Sequence, residues 1–320
     1  LGAISSAGTF WVDQVLLDEV WWYRYFWVSA ITLVLTVIEL SLLGGVSLRL
    51  VYFNARMTGH NVNDERETAF LNDKTLSLLA RAALEVPDPV PNFLGIDPLA
   101  KVSRNRLIVV GLAYKLKVFL SNFGARMLLT WLIGPTIWGL SMMIVTIPIT
   151  GLWNAWMIRK VSREARLRLF GNLLARHVVS QIIELHRRVG LSELGREGCV
   201  RAVANSLILT QQYHPNMLLL LVELYNALDI EDHGRLDNWP LFLMTLDKAP
   251  RHEQYLLLDV LCIAAAFDGH ISRLERRHLR QAFGPYTPQY FQRMNRLRRF
   301  LMSGRLQAAK QLSVVDFQPG

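Results

Sequence analysis

The chain has 320 residues, a net charge of +9, a positive mean hydropathy, 52% hydrophobic residues and 10% aromatic residues. These averages describe membrane segments joined to ordinary soluble helical sequence, and they exclude a chain that is apolar throughout. Cys199 and Cys262 are the only cysteines, and neither has a C-x-x-C neighbour. This pattern argues against a disulfide framework and a thiolate metal site, and buried, inert thiols are expected.

The charge is unevenly placed. Residues 1–48 hold one arginine against four acids, residues 49–126 hold eleven Lys and Arg against seven acids, and residues 159–320 hold twenty-three against fifteen. Such asymmetry orients a chain in a bilayer with its basic portions inside. The basic remainder fits anionic phospholipids, since no arginine-and-aromatic motif for RNA or DNA is present.

Residues 1–25 form an aromatic segment expected at the membrane–water interface, where Trp21, Trp22 and neighbouring tyrosines are at home. Residues 26–48, opening on Phe26 and Trp27 and closed by Arg49, predict one full transmembrane helix of about 20 or more apolar residues. The acidic entry and basic exit put the amino terminus outside and Arg49 on the cytoplasmic, matrix or stromal side. Ser41, Gly44 and Gly45 offer a small-residue face to another helix. Glu39 lies within the span. A carboxylate there faces protein, a polar cavity or a basic partner such as Lys115, Lys117 or Arg126. It reads either as a proton or ion site or, the preferred reading, as an interhelical hydrogen bond or ion pair.

Residues 49–126 predict a polar loop with amphipathic and interfacial helices. Residues 54–75 are polar, TLSLLARAALE (75–85) has helical spacing, and PDPVPNFLGIDP (87–98) carries four prolines that end that helix. Residues 127–158 hold no charged side chain over thirty-two positions. They are too short for two full spans and are broken by Gly134-Pro135 and by Pro148 with Gly151, which predicts a short re-entrant or kinked membrane hairpin. The other reading is a core hairpin of a soluble helical protein. Trp131, Trp138, Trp153 and Trp156 are placed near its polar boundaries, and Arg159-Lys160 ends it.

From Arg159 to the carboxyl terminus, apolar residues recur at helical spacing with arginines between them. Helices are expected at about 161–190, 197–212, 215–229, 239–248, 252–267, 272–283, 287–302 and 304–312. They make a basic, all-helical cytosolic domain over 159–320. Ser272 and Glu275 have the S-x-x-E spacing of a capping box. Asp268 and Glu275 could alternatively ligate a divalent cation, but the acid spacing of an EF-hand is absent. Asp229 to Asp237 imitates a calcium loop loosely; Pro240 stands where the bidentate glutamate should be, so a solvated turn is expected. His278 sits in a basic helix, and Glu164 reads as an ion-pairing partner of Arg163 and Arg166. No HxxxH, HExxH, P-loop, GxGxxG or GxSxG pattern occurs, and no catalytic constellation assembles.

Two stretches resemble known families. IPITGLWNAWMIRKVSREARLRLFG (147–171) resembles the membrane hairpin of EcsC-like bacterial proteins. Together with LARAALE, LGIDP and YKLK, it looks like a family of bacterial inner-membrane proteins. CIAAAFDGHISRLERRHL (262–279) resembles the turn of tellurite-resistance TerB-like helical domains. That resemblance implies an acidic divalent-metal site, of which only Asp268 and Glu275 match here, and neither family implies a reaction. The expectation is thus an all-α membrane protein with one full transmembrane helix, a hairpin and a soluble helical carboxy-terminal domain. Its expected location is the bacterial inner membrane or an organelle inner membrane. Its expected role is a non-catalytic scaffold or accessory subunit that binds other membrane subunits. The alternatives are an ion or proton transport component using Glu39, and a metal-responsive stress protein using Asp268, Glu275 and Asp229.

Overall fold

The computed structural model describes residues 7–8, 11–12, 14–16, 18–57, 140–210, 214–230, 236–267, 269 and 271–315. Within these, the side chains of residues 25, 29, 32, 33, 36, 39, 40, 57, 140–150 and 153 are outside the description. The protein is all-helical, and no strand occurs among the described residues. Contacts divide it into two units, residues 1–51 with 102–162, and residues 52–101 with 163–320.

The first unit contains most of α1 (Trp21–Met57), a helix of 37 residues. Arg49 does not end it. Arginine is a good helix former, and the next residues, Leu50 to Met57, contain neither glycine nor proline, so nothing local stops the helix there. Residues 54–57, expected in the polar loop, are helical, and residues 58–126 lie outside the described residues. Leu43, Ser47, Val51 and Ala55 recur every fourth residue and are buried. Val34, Val37, Ile38, Leu42 and Val46 point outward on other faces. Among the described residues no helix is long and apolar enough to cross a membrane. In the 26–48 stretch, six side chains (29, 32, 33, 36, 39 and 40) lie outside that set.

α2 (Leu140–Val189) is a single helix of 50 residues, and it corrects the hairpin reading in one respect. Pro148 and Gly151 do not break the chain. A proline removes one ladder bond, and well-formed turns on either side can carry the helix through it. The rest of the expected hairpin, residues 127–139 with Gly134-Pro135, lies outside the described residues. The helix also passes without interruption through Arg159-Lys160, where a boundary was expected.

Among the described residues, the second unit contains the end of α1, the carboxy-terminal part of α2 and seven further α-helices: α3 (Glu193–Thr210), α4 (Pro215–Ala227), α5 (Trp239–Lys248), α6 (Arg251–Ala266), α7 (Arg273–Phe283), α8 (Thr287–Ser303) and α9 (Leu306–Leu312). A 3-10 turn, Gly284–Tyr286, joins α7 to α8. These bounds follow the periodicity of the sequence to within a few residues. α6 is the central element, with Leu256 to Phe267 all buried, and it packs mainly on α3 and α8. Its close approach to α3 depends on Gly198, where an added Cβ would lie 2.6 Å from Leu257 Cδ1. Leu167, Leu174, Val178 and Ile182 bring α2 into the same core. Such burial is the main favourable term holding the unit together.

Candidate functional site

The α6–α7 turn carries the sharpest sequence motif. α6 ends at Ala266, and Gly269 takes φ +70, a left-handed conformation that glycine reaches without steric cost. Its open face lies against Leu167 of α2, since an added Cβ would come within 2.8 Å of Leu167 Cδ2. Ser272 Oγ then accepts from Glu275 N at 3.0 Å, and Glu275 Oε2 accepts from Ser272 N at 3.2 Å. The expected capping box is therefore present, and it satisfies two amides at the start of α7.

Glu275 is fully buried, and its Oε1 has no hydrogen-bond partner among the described residues. Burial lifts its carboxyl to about 7, against a smaller opposing pull from the Ser272 amide and the Arg298 charge. This group therefore keeps its proton through the mildly acidic range and loses it around neutral pH. Asp268, the other acid expected to ligate a cation, lies outside the described residues. Among the described residues no three His, Cys, Asp or Glu side chains gather at one place.

Three further buried polar clusters stand elsewhere in the unit. Asp259 on α6 pairs with Arg293 Nη1 on α8, and both side chains are buried. The same guanidinium donates through Nε to Leu312 O at 2.9 Å and through Nη2 to Val314 O, tying the end of α9 to the core. Glu253 accepts from Ser192 N at 2.7 Å and from Ser192 Oγ, so a residue of α6 fixes the start of α3. His214 precedes α4 and accepts from Asn216 N through Nδ1 at 3.4 Å, which leaves Nε2 as the protonated nitrogen. Burial, then the charge of Arg168, holds its pKa well below the usual histidine value. None of these was singled out from the sequence. The first two pair residues distant in the chain, and only the charged residue within an apolar run, Asp259 in LLLDVLC, carries a local signal.

Both thiols are buried and free. Desolvation pushes Cys262 up to about 12 and Cys199 higher still, which makes them poor nucleophiles. Glu164 pairs with Arg168 at 3.0 Å, one turn along α2; Arg163 and Arg166, its expected partners, are nearer in sequence. His278 packs edge-on against Trp239, with ring centroids 5.2 Å apart. Asp229 takes φ 46, and residues 231–235 of its loop are outside the description.

Of the residues expected at the membrane boundary, Trp21, Trp22 and Trp27 are exposed at the first turns of α1, with Tyr23 edge-on to both Trp22 and Trp27. Trp156 is exposed on α2, and Lys160 Nζ lies 5.9 Å from the centroid of its ring. Arg159 is exposed beside it. The Trp153 and Glu39 side chains are outside the description. No protein-family model, no curated protein and no solved structure matches the chain.

Proposed function

We propose that this chain is a non-catalytic membrane scaffold or accessory subunit, anchored by α1 and by the uncharged 127–158 stretch, whose helical unit binds other subunits. The outward faces of α1 carry the proposal. Val34 is 57% exposed, Val37 55% and Ile38 50%, in a run whose sequence from 26 to 48 contains one charged residue. Water is a poor solvent for such a surface, and a contiguous exposed apolar patch marks a membrane or protein interface. The 37 residues of α1 exceed the roughly 20 that a bilayer core requires. Aromatic rings at its first turns and Arg49 and Arg56 toward its end match the interfacial belt and the basic inner side.

In this reading the amino terminus lies outside and the basic helical unit lies on the cytoplasmic or matrix side of a bacterial or organelle inner membrane. Glu39 makes an interhelical contact, and Glu275 is a structural cap. The test is purification of the full chain from its native membrane in mild detergent, followed by mass spectrometry. A stoichiometric membrane-protein partner is expected. A stable monomer with nothing co-purifying would contradict the role.

A further inference from the structure

We propose that the arginine face of α7 and its flanking helices is a docking surface for the headgroups of an anionic phospholipid bilayer. The proposal deepens the membrane reading above and rests on it. From Arg276 to Val315 the chain contains eight arginines and one lysine and no aspartate or glutamate. One of these, Arg293, is consumed by the buried pair with Asp259. Glu275, the nearest acid on α7, is buried beneath the helix. The exposed surface of this segment is therefore cationic without an interspersed carboxylate.

Geometry concentrates the charge. At about 100° per residue, Arg273, Arg276, Arg277 and Arg280 fall within an arc of about 100° on α7, opposite the buried Glu275, Leu279, Ala282 and Phe283. All four arginines are exposed, and among the described residues none has a carboxylate within ion-pair distance. Arg296, Arg299 and Arg305 are exposed on the segment that follows. A solvated helix face normally mixes signs; four like charges on three turns repel one another unless a polyanion neutralises them.

A bilayer fits better than a nucleic acid because apolar groups border the stripe. Leu274 is 44% exposed on the adjoining arc. On the same side, Trp239 of α5 is held across α7 by its Nε1 bond to Gln281 at 3.1 Å and by the His278 ring. Leucine and tryptophan beside arginines suit the boundary between headgroups and acyl chains. Covalent attachment to a membrane anchor would also hold this face at high effective headgroup concentration.

The experiment uses the full chain carrying Leu274→Cys, labelled with a polarity-sensitive fluorophore. Cys199 and Cys262 are buried, so the label reports one site. The protein is reconstituted into vesicles of phosphatidylcholine alone, or of phosphatidylcholine with an equal amount of phosphatidylglycerol. Flotation with the neutral vesicles tests anchoring separately from docking. The expected result is a blue shift in the anionic vesicles only, reversed by high salt. Each Arg→Gln change among the four arginines should lower the ratio of docked to undocked label about fivefold, while Arg→Lys should retain most of it. A label indifferent to phosphatidylglycerol in protein that floats would overturn the docking surface and leave the anchor standing. Failure to float on neutral vesicles, with a salt-sensitive shift in anionic ones, would do the reverse. A shift produced by an RNA duplex and not by anionic lipid would also overturn the proposal.

Discussion

Replacing Glu275 with glutamine separates its structural role from its charge. In the folded chain its carboxyl is lifted from 4.5 to about 7, mainly because burial penalises the anion. Between those values the folded protein keeps a proton that the unfolded chain has lost. The stabilising contribution is full at pH below 4.5, declines as pH rises, and is gone above about 7. The integrated difference is about 3 kcal/mol. Glutamine stays neutral at every pH and still offers an oxygen to the Ser272 amide. Relative to the unsubstituted protein, Glu275→Gln should therefore gain about 3 kcal/mol between acidic buffer and pH about 8. The assay is urea unfolding of the full chain in a nonionic detergent across that range, followed by far-ultraviolet circular dichroism. A difference between the two proteins that does not change with pH would refute the reasoning.

Breaking the buried pair by Asp259→Asn or Arg293→Met alone should cost about 3–5 kcal/mol in the same unfolding assay, because the remaining charge is stranded in the core. The Arg293 change should also expose the segment after Leu312 to limited proteolysis, since its carbonyls at Leu312 and Val314 lose their donor. Maleimide should leave Cys199 and Cys262 unmodified in the native protein and label both after denaturation, as intact mass would report. Ile38→Lys, placed on an outward face of α1, should cost about 3 kcal/mol of insertion and shift the chain from the membrane to the soluble fraction, measured by fractionation.

The carboxy-terminal helices were legible because each has its own apolar periodicity and its own punctuation. Asn238 caps α5, Ser272 caps α7, and Gly304 ends α8 with φ 74, all signals that act within a few residues. The continuity of α2 was not legible. Pro148 and Gly151 are strong local breakers, and whether a helix survives them depends on its flanking turns rather than on the dipeptide. The extension of α1 past Arg49 was missed for a related reason. A charge closes an apolar run without closing a helix. The clamps Asp259–Arg293 and Glu253–Ser192 join positions 34 and 61 residues apart, a distance over which periodicity carries no information. The capping role of Glu275 could be read from S-x-x-E spacing, but its raised pKa comes from the surrounding core.

The direct measurement is where the intact polypeptide goes when membranes are washed with alkaline carbonate and sedimented in the absence of detergent. If lipid is the solvent around α1 and the uncharged central stretch, the chain stays in the pellet and is released only by detergent. Recovery of the full-length, folded chain in the supernatant would contradict the anchor and everything built on it.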